Sequence, residues 1–562
     1  MTTIGEHVEL DLVPAGNHRR AAVVTRDQLL AAATALLGAG MRLALVSGHD
    51  DGTSMRAVYL FTSGPPDRRV ELHLEIDRSS PQVPSLAGVS FPASRFEREM
   101  RDLFGIEPIA HPQPRRLVLH QHWPANWFAL RHGTGHRPEM VADAGGFPFI
   151  PVEGAGVYEI PVGPVHAGLI EPGHFRFWVV GETILRMKAR LWYLHKGIER
   201  LFEGRDVSSG LELAERISGD TAVGHSLAYC LAIEDALSIE IPPAARVSRS
   251  ILLELERLYN HVADIGALCN DVGFALANAR ALGLREQLLQ LNGEVTGHRL
   301  LRSGIRPGGA RLQRLPGAGE LSEVSEQFED LIELATSNAL VMERFTGTAV
   351  LDAAHGAELG VVGVAGRASG VGCDSRVAHP WVETGAEFSE AVRSDGDVRA
   401  RFEVRVGEVR TSLALLSEML GRAGELDSVA EIGEIVGSGE PAWRRSGVRT
   451  GLRSGEPSGL RSGVRTGLRS GEPSERRSGV RTGLRSGEPS GLRSGVGITE
   501  AWRGAVVHRV ELGPDRRLTR VKVVDPSFLN WPAVPVSLAD TIVPDFPLAN
   551  KSFNLSYAGN DL

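Results

Sequence analysis

The chain has 562 residues, 42% apolar and 23% charged, with a formal net charge of −8. That length exceeds one ordinary hydrophobic core, so more than one domain is expected; the composition excludes a disordered chain and the acidic balance excludes a nucleic-acid binder. Cys230, Cys269 and Cys373 lie far apart and form no CxxC pair, which excludes a disulfide framework or zinc ribbon and fits a reducing cytoplasm.

In chain order, residues 1–122 read as a small α+β domain. Gln28–Leu37 is a short alanine-rich helix, and strand-like runs follow at Leu43–Ser47, Arg56–Thr62 and Val70–Ile76, the last alternating at period two. His49-Asp50-Asp51-Gly52 supplies the turn between the first two. Phe96–Leu103 is a short charged helix stopped by Gly105 and Pro108. Residues 123–156, rich in Pro and His, read as a linker. Val157–Val180 is strand-like and the pattern after Gly181 is helical. Helices are expected at 182–203, 222–237, 246–275, 280–301, 320–345 and 401–423. In the third, Leu255, Leu258, Val262, Ile265, Cys269 and Val272 form one apolar stripe. Ala505–Leu512 and Leu518–Val524 flank Gly513-Pro514-Asp515 as a hairpin. The start, MTTIGEHVELDLVP, carries acids where a secretion signal needs a basic cluster, and no apolar run reaches the roughly 18–20 residues of a spanning helix. No transmembrane segment of its own is therefore expected.

One segment follows neither period. From Ser446 the unit SGVRTGLRSGEPSGLR runs three times (446–461, 462–477, 478–493), with ERR replacing GLR once. It has no apolar stripe and no aromatic residue to offset its ordering entropy. Residues 444–496 carry 12 Arg against 4 Glu, so they read as a disordered basic surface insertion; a basic arm touching anionic lipid or acidic partners is the functional alternative. It divides a domain at 157–443 from its C-terminal part at 497–562.

Four stretches carry a family resemblance. SRFEREMRDLFGIEPIAHPQPRRLVL (94–119) resembles the small peripheral subunit of Complex I. GPVHAGLIEPGHFRFWVVGETI (163–184), with LHKGIERLFEGRD (194–206), resembles the large subunit of group 4 nickel–iron hydrogenases of the formate hydrogenlyase type. GVVGVAGRASG (360–370) is similar to a glycine-rich motif of that subunit and its Complex I relative. VKVVDPSFLNWPAVP (521–535) resembles the run before the hydrogenase C-terminal ligand motif. The resemblance implies an α+β N-terminal domain followed by a mostly α-helical hydrogenase-large-subunit-like domain with small β elements. It also implies a cytoplasmic place on the inner face of the cell membrane, beside a small iron–sulfur subunit and membrane antiporter-like subunits. An iron–sulfur cluster is then expected on a partner, and no cofactor on this chain.

Such hydrogenases hold nickel with two CxxC pairs, because soft thiolates suit that metal. The matching stretches here are Glu215-Arg216-Ile217-Ser218-Gly219-Asp220-Thr221 and SFNLSYAGNDL, which put Ser218, Thr221, Ser556 and Gly559 at the ligand positions. Hydroxyls and a bare glycine do not replace thiolates, so a nickel site is not expected. Cys230 reads as a buried apolar thiol rather than a substitute. The Complex I relative reduces quinone in this region; its quinone-contacting tyrosine falls at Gly219, so the residues do not carry that pocket over directly. Quinone reduction in the vacated cavity, as part of NADH-driven electron transport, remains the alternative to a structural and coupling role. His166 and His174 are its candidate pocket residues, against a structural role in a strand–turn. Glu171 resembles the hydrogenase glutamate that passes protons, against a solvated turn carboxylate. His120, His122, His132 and His136 form a loose cluster that reads as linker rather than metal site. No Walker, GxSxG or HExxH motif is present, which argues against hydrolase and NTPase chemistry.

Overall fold

The structure is a computed structural model. It describes all residues except 1, 5–7, 136–137, 143–144, 168–169, 373, 383–387, 426–433 and 437–490. Cys373, His136 and nearly all of the basic repeat lie outside the described residues.

The N-terminal domain is built on a mixed sheet. Strands β1 (Val13–Gly16), β2 (Arg19–Val23), β3 (Arg42–Asp50), β4 (Met55–Ser63) and β5 (Arg68–Ile76) lie in the order β1-β2-β5-β4-β3, with only β2 and β5 parallel. Helix α1 (Arg26–Gly38) starts at Thr25, whose N–H donates to the Gln28 side chain at 3.0 Å. Helix α2 (Phe91–Phe104) ends at Gly105, where φ is 67° and a side chain would be strained. Three acids of α2 each have a separate task. Glu97 accepts the Leu86 N–H and the Ser85 hydroxyl, both at 2.6 Å. Asp102 accepts three consecutive N–H groups, of Leu117, Val118 and Leu119. Glu99 reaches across to Lys522 at 2.7 Å.

A second sheet follows, β6 (Val157–Val162), β7 (His174–Val180) and β8 (Thr183–Arg190), all antiparallel. This corrects the helix expected at 182–203: residues 183–190 are a strand, and only α3 (Ile198–Phe202) is helical. The misreading has a physical cause. Ile184, Met187 and Arg190 are the buried residues of β8, spaced by three as on a helix, while the strand pairs with β7 across a bulge at Trp178/Val179. Described residues of 123–156 contain neither helix nor strand.

The remaining body is helical. Helices α4 (Ala222–Leu237), α5 (Pro243–Asp271), α6 (Ala275–Thr296) and α10 (Val398–Glu425) lie within five residues of the expected spans, and α7 (Ala318–Thr336) starts close to where expected; short helices α8 (Gly363–Ala368) and α9 (Ser375–Ala378) lie between α7 and α10. The expected 320–345 helix breaks after Thr336, and Asn338 caps a separate helix at Ala339–Phe345. Helix α5 is buried on more than its apolar stripe. Its Glu254 and Arg257 join Arg367 of α8, Asp374, Arg376 of α9 and Glu408 of α10 in a buried ionic cluster that also takes in Glu500.

Strands β9 (Arg493–Ala501), β10 (Gly504–Leu512) and β11 (Leu518–Val524) form an antiparallel sheet, β10 and β11 being the expected hairpin. Strand β9 begins inside the span expected as insertion, so the disordered reading does not extend to 496. Helix α4 lies directly on β9. A Cβ on Gly495 would stand 2.5 Å from Ala236 N, and one on Gly497 2.7 Å from Ala232 N.

This C-terminal sheet docks on the N-terminal one through buried charge. Glu71 of β5 is bound by Arg19 at 3.0 Å, Arg509 at 2.9 Å and His73 at 3.0 Å. Glu511 of β10 is bound by Arg56 at 3.1 Å, Arg509 at 2.7 Å and His49 at 3.3 Å. Burial opposes both charges, but the surrounding cations outweigh it and hold both carboxyls well below their ordinary range. Gly497→Ala is expected to lift α4 off β9 and to cost about 3 kcal/mol of unfolding free energy, at the upper end for overpacking; a urea melt reads it.

Candidate functional site

The two stretches that match the hydrogenase ligand motifs are 338 residues apart and meet through one hydrogen bond, Ser218 Oγ to Ser556 Oγ at 2.8 Å. The proton order follows from the neighbours. Gly559 N–H donates to Ser556 Oγ at 2.8 Å, and Ser218 donates to Asp220 Oδ1 at 2.8 Å. Ser556 therefore donates to Ser218, and the three form a relay that ends on a carboxylate. Thr221 also donates to Asp220 Oδ1, at 3.0 Å.

Asp220 is the hub. Arg503, in the turn between β9 and β10, grips it in a forked pair, Nη1 to Oδ1 at 2.8 Å and Nη2 to Oδ2 at 2.7 Å. Partial burial opposes the charge on Asp220, but Arg503 and the two hydroxyls outweigh it and hold the carboxyl down at about 2. Trp502 stacks under the Arg503 guanidinium at 3.9 Å and donates its indole N–H to the Asp220 carbonyl at 3.0 Å. Arg503 Nε donates to the Asn554 carbonyl at 2.6 Å, tying the same side chain to the C-terminal segment.

Below the pair lies a buried chain of two histidines and an acid. His508 Nε2 is 3.1 Å from His225 Nδ1, and His225 Nε2 is 3.0 Å from Asp525 Oδ2. Burial, and after it the neighbouring His225, push His508 well below its usual range. Asp525 in turn caps α11 (Pro526–Asn530) through Ser527 N–H at 2.7 Å. Its carboxylate occupies the space beside Gly559: a Cβ there would stand 2.5 Å from Asp525 Oδ2. Nearby, Glu256 of α5 accepts the Val223 and Gly224 N–H groups, and burial pushes it up to about 8.

The donor set therefore does not fit nickel. Ser218, Thr221 and Ser556 offer hydroxyls already bound to one another or to Asp220, and Gly559 has no room for any side chain. Soft thiolate sulfur is what that metal needs. Cys230 is wholly buried, and burial raises its thiol far above the usual range, so no thiolate is available there.

Glu171 sits against this region, accepting the Ala558 N–H of α12 (Tyr557–Asp561) at 3.2 Å. His166 and His174 face their own loop instead: His166 Nε2 is 2.8 Å from the Gly173 carbonyl, and His174 Nδ1 is 3.1 Å from the Gly163 carbonyl. Nε2 of His174 is buried and has no partner among the described residues. The linker histidines do not converge. His120 bonds the Leu191 carbonyl, its ring lies 6.0 Å from that of His122, and exposed His132 stands beside Asp50. Among the described residues no group of three or more His, Cys, Asp or Glu side chains is placed to hold a metal ion.

Sequence reasoning missed Arg503, Asp220, Asp525, His225 and His508. Only Asp220, two residues from Ser218, stands within a ligand motif; the others come from strands and helices whose convergence no spacing announces. Asp220→Ala leaves the buried Arg503 without its partner and is expected to cost about 2 kcal/mol. The figure stays below that of a sealed pair because the Asp220 side chain is 40% exposed and water screens it. Because the folded carboxyl titrates at about 2 and an unfolded one near 3.9, this share of stability is complete above about pH 5 and fades as pH falls towards 2. Chemical melts from pH 6 down to 3 check both the loss and its acid fading.

Comparison with known proteins assigns three segments of the chain to described families. Residues 22–135 match the respiratory-chain NADH dehydrogenase 30 Kd subunit, 196–269 the nickel-dependent hydrogenase, and 271–457 the respiratory-chain NADH dehydrogenase 49 Kd subunit. Hydrogenase-4 component G of Escherichia coli is 29% identical over 92% of this chain and 83% of its own length. Formate hydrogenlyase subunit 5 of the same organism is 32% identical over 62% of this chain, which spans 63% of that relative. One subunit of the F(420)H(2) dehydrogenase of Methanosarcina mazei is 33% identical over 46% of this chain and 71% of its own length. A chain in the structure of the membrane-bound sulfane sulfur reductase, an archaeal respiratory membrane complex, shares the fold with TM-score 0.57 at 21% identity, over 74% of this chain and all of that one. The chain belongs to the family that holds this F(420)H(2) dehydrogenase subunit, formate hydrogenlyase subunit 5 and the 49 Kd NADH dehydrogenase subunit, with a 30 Kd-type domain fused at its N-terminal side.

Proposed function

We propose that this protein is a peripheral-arm subunit of a membrane-bound hydrogenase-like or NADH dehydrogenase-like complex, and that its role there is structural and coupling rather than catalytic at nickel. Relatives in complexes of both kinds support the assembly. One observation carries the role: the two ligand stretches are joined by a serine–serine hydrogen bond over an Arg503–Asp220 pair, with no space for a side chain at position 559. In this reading the redox cofactors sit on partners, an iron–sulfur cluster on a small subunit, and antiporter-like subunits supply the membrane part. No helix among the described residues is long and apolar enough to cross a membrane, so attachment runs through those partners. The chain would transmit a change of shape or of proton occupancy between them. Metal analysis of the purified complex is expected to find no stoichiometric nickel in this polypeptide; stoichiometric nickel here defeats the reading.

A second reading, reduction of a quinone beside the 163–174 loop, rests on the buried and unpartnered Nε2 of His174, whose ring lies 5.5 Å from Phe149. His166 and Glu171 flank the same loop. His174→Ala and Glu171→Gln in the intact complex discriminate. Electron transfer to quinone that falls at least about tenfold supports this reading, and unchanged transfer disposes of it.

A further inference from the structure

A cleft of about 400 Å³ opens where α2, β8 and the segment 531–536 come together. Five cations line it, Arg95, Arg98, Arg186, Lys188 and Arg190, and no acidic side chain does. None of the five makes an ion pair among the described residues. The nearest acids are committed elsewhere: Asp102 to its three backbone N–H groups, Glu99 to Lys522, and Asp561 to the Leu194 N–H and Asn560. The cations are held instead by neutral groups. Arg98 donates to the Arg115 and Arg116 carbonyls, Arg190 to those of Leu117 and Leu119, and Arg95 to Asn560 while stacking on Phe528.

Three donors of the lining residues are also buried without a partner: Nε of Arg95, Nε of Arg190 and the indole Nε1 of Trp531. Arg190 is 3% exposed and Trp531 2%. An unmade hydrogen bond on a buried donor costs free energy, and several like charges in one wall repel. Loss of water, with the repulsion of neighbouring Arg98, pushes Arg95 down to about 9. A bound anion would relieve both penalties, and the volume lies in the range of small-ligand sites.

We propose that this cleft is an anion-binding site for a phosphate-class oxyanion, held by charge-assisted hydrogen bonds from the arginine forks and Lys188. The site is independent of the vacated metal positions and of the role assigned above. Its ligand is either a free phosphate compound or a lipid headgroup, since both present the same oxygens.

Isothermal titration of the full chain with pyrophosphate at constant ionic strength tests it. Saturable one-to-one binding is expected, weakened at least about tenfold in Arg186→Gln/Lys188→Gln and unchanged in Arg299→Gln, an exposed arginine outside the cleft. Thermal melts of each variant establish that it is folded, and pyrophosphate is expected to raise the melting temperature of the wild type but not of the double variant. Absence of saturable binding, or equal affinity in the double variant and the wild type, overturns the proposal. Sedimentation with phosphatidylglycerol and phosphatidylcholine vesicles separates the sources. Binding to the anionic vesicles alone, competed by pyrophosphate, supports the site with a headgroup as ligand; pyrophosphate binding without vesicle binding supports it with a free anion.

Discussion

Glu71 and Glu511 are buried where two sheets meet, and a carboxylate in such a place is tolerable only when cations reach it. Arg19 and Arg56 come from the N-terminal sheet and Arg509 from the C-terminal one, so neither domain can satisfy the seam alone. Separating the sheets would take one arginine from each carboxylate, Arg509 from Glu71 and Arg56 from Glu511. The same rule holds at the second contact, where Lys522 bridges Glu99 of α2 and Glu199 of α3. The acidic α2 motif and the VKVVDP strand are therefore two halves of one ionic joint. Because that joint fixes β11, it also fixes Asp525, the residue that follows the strand, and with it the floor of the candidate site.

The site itself is organised by the same pairing of charge. Arg503 reaches Asp220, the Asn554 carbonyl and the face of Trp502, so one guanidinium joins the first ligand stretch, the C-terminal stretch and the β9–β10 turn. The serine relay needs Asp220 as its final acceptor, and Asp220 stays ionised because Arg503 is there. Hydroxyls alone would make a weak seam; hydroxyls ending on a paired carboxylate make a directed one.

Much of this is legible in the sequence, and the limits have physical causes. Long helices announce themselves because periodicity survives over many residues, as in the stripe Leu255, Leu258, Val262, Ile265 and Cys269 of α5. Strand β8 does not, because its three buried residues fall at helical spacing and only pairing with β7 decides the outcome. That Ser218, Thr221, Ser556 and Gly559 offer no thiolate can be read directly, since thiolate chemistry is a property of the residue type. What fills the emptied space cannot: Arg503, His225 and His508 carry no spacing relation to Ser218 or Ser556, and their convergence is set by the docking of β9 and β10 against α4. The boundary of the basic repeat is misplaced for a related reason. Ser494-Gly495-Val496 continues the repeating pattern, yet here the glycine lets α4 sit on the strand and the serine bonds Arg19.

The C-terminal helix α12 has five residues, too short to stand unaided. Its order is imposed from several sides: Ser556 on Ser218, Ala558 N–H on Glu171, Asn560 on Arg95, Asp561 on the Leu194 N–H, and the Leu562 carbonyl on the Lys196 N–H. A metal shared between the two ligand stretches would serve as one such tie. Here that work is distributed over ordinary hydrogen bonds, and the Asp220 charge beside Ser218 is already neutralised by Arg503. A scaffold that closes in this way does not need a metal to hold its shape. The geometry it preserves is that of the joint between domains and of the surfaces around it.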